Sequence, residues 1–481
     1  MVMKATLRLL VFTILMSATS LGLFAQFPSM QYYRTYDKDG LNVYETTKED
    51  VVKFDGMKLR FGAGFTQGFQ MLTTKNGAFD GTNVLTGVDR TTLPNWKKYN
   101  AGKDSIDANV PYSTTGGFNN AAANLMIDAQ LADGVRLNLA LYLSSRHHQE
   151  TWVKGGYIQF DKLAFLGSEF IDNVMKYLTI RAGHMEINYG DAHFRRSDGG
   201  ATIYNPFIEN YLVDAFTTEI GADVTFQHAG FLGVVGVTNG EIKGSIDPIA
   251  PTAADKDTSR SPAIYFKAGY DTKFGDDGRI RITGSGYMDP SSASNTLFWG
   301  DRTGSNYWLT MESQAANYSP TATSASAMKP SSSSQAWSGR VNPGFSDKVT
   351  SFMFNGTFQL GGLEFFGTFE TASGRSAQET ADRSMSQIAA DLIFRFGSTN
   401  NLYVAGRYNT VGVQLAGFKD ASGAQTKQTV DRIAIAAGWF LTKNIELKGE
   451  YVMQSYKDFP TTDLRNAGKI NGIVVQAVVG F

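Results

Sequence analysis

All five histidines, His147, His148, His184, His193 and His228, fall within one fifth of this 481-residue chain. Two of them belong to a stretch that mixes both signs of charge, His184-Met185-Glu186-Ile187-Asn188-Tyr189-Gly190-Asp191-Ala192-His193-Phe194-Arg195-Arg196-Ser197-Asp198. Imidazole beside carboxylate is the material of metal sites and of acid–base catalysis. The spacing supports neither: no zinc pattern matches, and His147 and His148 face opposite ways in an extended chain. Asp37-Lys38-Asp39-Gly40 is too short for a calcium loop, lacking further acidic ligands. Cys 0 removes thiol active sites, zinc–thiolate sites, disulfides and a lipid-modified N-terminal cysteine. A barrel-type hydrolase would need a nucleophile beside a histidine at a rim or outer wall, and no outward-parity serine lies near one. No enzyme and no cofactor are therefore expected. What these residues can do is act on passing ions: Arg146, Arg181, Glu186, His193, Arg195, Arg196 and Asp198 carry both signs of charge and suit a pore constriction, where low-dielectric walls focus the field.

Such residues need a wall, and the rest of the chain is written in period two. Met57, Leu59, Phe61, Ala63 and Phe65 share one face, with Lys58, Arg60, Gly62, Gly64 and Thr66 on the other. Asp133-Gly134 is a hairpin signal between two further alternating runs, 121–131 and 135–143. Strands follow near 152–161, 178–188, 217–227, 231–238, 263–272, 279–288, 349–360, 363–372, 386–396, 402–410, 430–441, 445–454 and 470–481, which makes sixteen. Outward positions are apolar, as in Phe352, Phe354 and Phe358, or Ile433, Ile435 and Trp439. Asp391, Arg395, Arg407, Arg432, Glu446, Lys448 and Glu450 take the inward parity. Charge on the lipid side at the midplane would cost about 2–4 kcal/mol. In hydrocarbon every backbone N–H and C=O must pair internally, so alternation of this kind closes into a barrel. The fold class expected is all-β, a transmembrane antiparallel β-barrel.

Connection lengths alternate too. Those after odd-numbered strands are mostly long (72–117, 189–216, 239–261, 289–346), and those after even-numbered strands are mostly tight turns such as 133–134, 228–230, 275–278 and 361–362. Short periplasmic turns and long extracellular loops produce this asymmetry, with both termini in the periplasm. Two links depart from it: 144–151 is short where a long loop belongs, and 162–177 is long where a turn belongs. The latter carries Leu163, Leu166, Phe170, Ile171 and Val174 at a spacing that suits a short amphipathic helix. Sixteen strands enclose more space than side chains fill, so a water-filled lumen is expected.

The two ends agree with export. Lys4 and Arg8 precede an apolar run from Leu9 to Met16, and small residues lead to Ala25, so residues 1–25 read as a signal peptide. Residues 26–53 are mostly polar and read as an N-terminal periplasmic arm or partial plug, followed by the barrel at 54–481. In the last strand Ile473, Val475, Ala477, Val479 and Phe481 share a face, although Val474 and Val478 interrupt the polar one. A net charge of -1, from 44 basic and 45 acidic residues, leaves no basic field for nucleic acid. Gly 50, Phe 33 and Tyr 21 against Pro 12 favour strands with aromatic belts, and a polar lumen reconciles an apolar exterior with a mean hydropathy of -0.21.

The string His184 to Asp198, with Ser144-Ser145-Arg146-His147-His148, Val153-Lys154-Gly155-Gly156-Tyr157 and Asp39-Gly40-Leu41-Asn42-Val43-Tyr44-Glu45, resembles outer-membrane porins of Bacteroidetes type. The resemblance implies a porin-like barrel and says little of the solute. Terminal Phe481 resembles the closing signal of bacterial outer-membrane proteins, which the barrel assembly machinery reads, and a likeness to trimeric general porins implies that the third extracellular loop, near 189–216, folds inward to narrow the pore. Arg195-Arg196 is open to two readings, a constriction or a solvated turn before Asp198-Gly199-Gly200. The expected function is passive diffusion of small hydrophilic solutes or ions across the outer membrane. An occluded specific transporter and a structural barrel of a larger envelope complex are the alternatives. Outer-membrane lipid and the assembly machinery are the expected partners, a homotrimer is a compatible assembly, and nucleic acid is excluded.

Overall fold

A computed structural model describes residues 28–50, 52–81, 95–144, 151–242, 248–299, 305–331 and 338–481. Residues 1–25, Arg146, His147 and His148 lie outside them. The wall consists of β1 (Lys58–Lys75), β2 (Ala122–Ala132), β3 (Val135–Ser144), β4 (Trp152–Phe160), β5 (Leu178–Glu186), β6 (Thr218–His228), β7 (Phe231–Thr238) and β8 (Ala263–Phe274). It continues with β9 (Gly278–Asp289), β10 (Lys348–Leu360), β11 (Leu363–Arg375), β12 (Arg383–Phe396), β13 (Leu402–Val413), β14 (Gln428–Thr442), β15 (Ile445–Lys457) and β16 (Lys469–Gly480). Each strand pairs antiparallel with the next, and β1 pairs with β16 from Gly64↔Gly480 to Lys75↔Lys469, which closes the ring. Phe481 completes the seam: its N–H donates to the Ala63 carbonyl (3.1 Å), and its carbonyl accepts from the Ala63 N–H (3.0 Å). A two-residue strand, Gly117–Phe118, adds to β1, and a small hairpin pairs Trp96–Tyr99 with Asp104–Asp107.

The outward parity holds around the wall. Phe61, Phe65, Phe354, Ile388, Leu392, Phe394, Ile433, Ile435, Trp439, Ile473 and Val475 are exposed on the outer face, while Asp391, Arg407, Arg432, Glu446, Lys448 and Glu450 are buried inside. This is a transmembrane barrel of sixteen strands with long extracellular loops and short periplasmic turns. The long periplasmic link contains a 3₁₀ turn, Ala164–Leu166, and one helix, α1 (Glu169–Met175), so the helical spacing read from its sequence is realised and no extra strand intervenes.

The lumen departs from the expectation of open water, because main chain fills much of it. Residues 28–50 enter from the periplasmic rim, where Asp37 pairs with Lys443 (3.1 Å) and the Lys38 N–H donates to the Lys443 carbonyl (2.8 Å). Deeper inside, Asn42 donates to Glu364 (2.7 Å), Tyr44 bonds Thr357 (2.7 Å), and Glu45 pairs with Arg281 (2.8 Å) and Lys267 (3.2 Å). From the other end come the loop 187–217 and parts of the loop 290–347. Val474 packs with Ile208 and Tyr307, and Val478 with Ile203 and Phe207. Those inward valines are the floor on which the loops rest.

Candidate functional site

The loop 187–217 leaves β5 and crosses the interior, and the inward wall charges are what it binds. A main chain inside a barrel must satisfy its own donors and acceptors. Gly190 turns at φ 68, and a Cβ there would meet the Met353 sulfur at 2.2 Å, so only glycine lets the chain hug the wall. Next, Asp191 accepts from Arg281 (2.9 Å) and Lys267 (3.0 Å). At the far side Gly200 presses on β1 and β2: Asn124 accepts its N–H (2.7 Å), and Thr66 donates to its carbonyl (2.8 Å). On the return, Lys448 donates to the carbonyls of Thr202 (2.6 Å), Asn205 (2.8 Å) and Phe207 (3.2 Å). Glu450, Asn409 and Gln387 accept the N–H groups of Ile208 (2.8 Å), Leu212 (2.6 Å) and Val213 (2.9 Å), and Arg407 and Arg432 donate to the carbonyls of Glu209 and Asn210 (2.8 Å each). Most of the loop's bonds to the wall are thus to β8–β15, and its segment 198–202 crosses to β1–β4.

Between the loop, the arm and β2–β6 lies a cavity of ≈ 260 Å³. Its lining runs the length of β5 and β6, from Glu186 and Thr218 at their extracellular ends to Thr179 and Gln227 at their periplasmic ends. Arg34, Arg136, Lys154, Arg181 and Arg196 line it, with Glu45, Glu186 and Asp198 as the acids. Ion pairing tempers these cations. Arg136 holds Asp128 (2.9 Å), Arg181 Nε donates to Asp223 (3.0 Å), Lys154 pairs with Asp198, and Arg196 grips Asp214 through Nε (3.0 Å) and Nη2 (2.6 Å). Arg34 instead donates to the Gly40 and Phe194 carbonyls (3.0 and 2.8 Å) and lies 3.9 Å over the Tyr204 ring.

Five of the residues singled out by sequence meet at this cavity: Arg181, Glu186, His193, Arg196 and Asp198. His193 bonds Glu186 through Nδ1 and Asn188 through Nε2 (3.1 Å). Burial holds its imidazole below the ordinary value, against the opposing pull of Glu186. Arg195 does not join them. Its guanidinium turns to the opposite wall, pairs with Glu364 (2.5 Å) and Asn42, and stacks 4.7 Å over Phe366. The 3₁₀ turn Ala192–Arg195 ends between the two arginines and sends them apart. Neither is solvated, at 5% and 6% exposure, so the solvated-turn reading fails for both.

No protein-family model matches this chain, and no curated protein sequence does. Solved structures do. The chain is similar to an anion-selective porin from Comamonas acidovorans, at 10% identity and a TM-score of 0.47 over 88% of this chain and 100% of that one. It is similar also to OmpT, an outer membrane protein of Vibrio cholerae (11% identity, TM-score 0.44, 89% and 99% covered). A third is the outer membrane channel DcaP of Acinetobacter baumannii (11% identity, TM-score 0.44, 89% and 99% covered).

Sequence reasoning left Arg34, Arg136, Lys154, Tyr157 and Phe216 out of the site. Arg136 was legible by parity, opposite Leu137 and Leu139 on β3. Lys154 was not, because a bulge intervenes: Ala140 pairs with Gly155 and Leu141 with Val153, so the ladder skips position 154 and the Lys154 side chain reaches Asp198 inside the barrel. Arg34 sits on an arm without periodicity, and nothing in its local sequence marks its destination.

Proposed function

We propose that this protein is an outer-membrane porin through which small hydrophilic solutes or ions diffuse along the path between the loop 187–217 and the β2–β6 wall. The observation that carries this reading is the polar, charged lining that follows β5 and β6 from one end to the other. In this reading Arg181, Glu186, His193, Arg196 and Asp198 form the constriction, and Arg195 is a fastener of the loop. Selectivity between cations and anions is weak, because most lining cations face a carboxylate partner. The resemblance to Bacteroidetes-type porins, export by the 1–25 leader and assembly through Phe481 belong to the same proposal. Purified protein in planar bilayers should give open, stepwise currents.

A second reading, an occluded transporter, is favoured by one observation: the 28–50 arm is ion-paired to the lumen wall at Glu45. Under that reading the full chain is silent and a variant lacking residues 28–50 conducts. Stepwise current from the intact mature chain would exclude it.

A further inference from the structure

The link between β4 and β5 is the segment that a diffusion path does not use. The Asp161 N–H donates to the Gly134 carbonyl (2.7 Å), Lys162 pairs with Asp133 (2.9 Å), and Gly167 in a left-handed turn (φ 59) leads to α1, whose N-cap is Ser168. At about 100° per residue the helix divides into three arcs. Met175 is buried and Ile171 half-buried, so this arc faces the barrel. Glu169, Asp172, Asn173 and Lys176 are exposed on the opposite side. Between them Phe170, at 76% exposure, and Val174 form an apolar arc with nothing on it, extended by Phe165 (65%) and Leu166 (51%) of the preceding turn.

That arc is continuous with the outer wall. Tyr177, just past the helix, packs its ring 6.4 Å from Phe226 and 4.8 Å from His228 at the periplasmic end of β6. Phe226 is exposed on the lipid side, and next to it the tilted rings of Phe231 and Tyr270 meet at 5.0 Å on β7 and β8. These rings form an aromatic girdle of the kind found at the membrane–water boundary. The geometry points to α1 as an interfacial anchor: Phe165, Leu166, Phe170 and Val174 insert at the headgroup–acyl boundary of the periplasmic leaflet, with the polar arc turned to the periplasm. The arc that carries them lies beside the barrel-facing one, which places their occupant lateral to the barrel, where the bilayer is. The helix stretch 169–176 has two acids and one base, so apolar burial drives the insertion and attraction to anionic lipid does not.

The absence of native cysteine makes a direct test simple. Phe170→Cys, Phe165→Cys and Asp172→Cys would each carry a nitroxide in full-length mature protein folded into phosphatidylethanolamine–phosphatidylglycerol vesicles, with lipid-facing Phe354→Cys as the reference. Accessibility to oxygen and to a water-soluble nickel chelate is then compared. The expected result is a several-fold higher oxygen-to-nickel ratio at 170 and 165 than at 172, approaching that at 354 and unchanged when phosphatidylglycerol is omitted. A nickel-accessible label at both 170 and 165 would overturn the proposal, as would protection from both reagents, which would mean that a second copy or another protein covers the helix.

Discussion

Two neighbouring arginines turn to opposite walls of the lumen. Arg196 faces the path and Arg195 the packed half, so the same change at each should have different consequences. Arg196→Glu should move the reversal potential of the channel towards cation preference, because it replaces a cation with an anion where low-dielectric walls focus the field. Lys329→Glu, on an exposed surface loop, should leave permeation at the parent value because solvent and salt screen it. Arg195→Gln should keep the parent's selectivity and cost about 3–5 kcal/mol of stability, the usual penalty for breaking a buried ion pair. Bilayer reversal potentials and urea-dependent unfolding check the set, and an equal selectivity shift at 195 and 196 would defeat the assignment. The sequence placed both residues near the pore, but strand parity cannot be carried through a 3₁₀ turn, so it could not say which one faced the solutes.

At the level of elements, all sixteen strands were legible because each has one face in lipid and one face away from it, a constraint written as period two. Inside the lumen, exceptions to that pattern mark where the loops rest. Val474 and Val478 sit on the inward parity because Ile208, Ile203 and Phe207 of the third loop pack on them. The arm carries no period, and its anchor, Glu45, is found only in three dimensions. Burial alone would raise the Glu45 carboxyl, but Arg281 and Lys267 overcome it and hold the group down at about 2. A depressed carboxylate gives stability that is fully present above its unfolded value, about 4.3, and is lost as pH falls through the folded one. The arm should therefore stay docked at pH 5 and release as pH falls towards about 2, whereas Glu45→Gln, which leaves two buried cations short of a partner, should loosen it at neutral pH. Protease protection of the arm across that pH range reads the effect. An arm equally protected in the parent and in Glu45→Gln at neutral pH would show that this pairing does not hold it.

Across the whole molecule the interior of the barrel is unevenly filled. The loop 187–217 takes most of its wall bonds from β8–β15, the arm also reaches β2, where Tyr36 donates to Asp128 (2.8 Å), and the Val341 N–H donates to the Leu212 carbonyl (2.7 Å) where the two loops meet. β2–β6 supply the polar wall of the cavity that remains. Short connections, such as the two-residue turns 133–134 and 361–362, and the closed seam at Phe481 make the cylinder, and in the proposed porin the asymmetry inside it sets where solutes pass. The most direct test of that asymmetry is cysteine block of single-channel current. Thr225→Cys lies on β6 in the lining of the path, and Ser351→Cys lies on β10 beneath Tyr189 of the packed loop. A charged methanethiosulfonate reagent added during recording should cut the current of Thr225→Cys in discrete steps and leave Ser351→Cys unaffected. Block at Ser351 with none at Thr225 would place the conducting path on the other side of the loop and contradict the account.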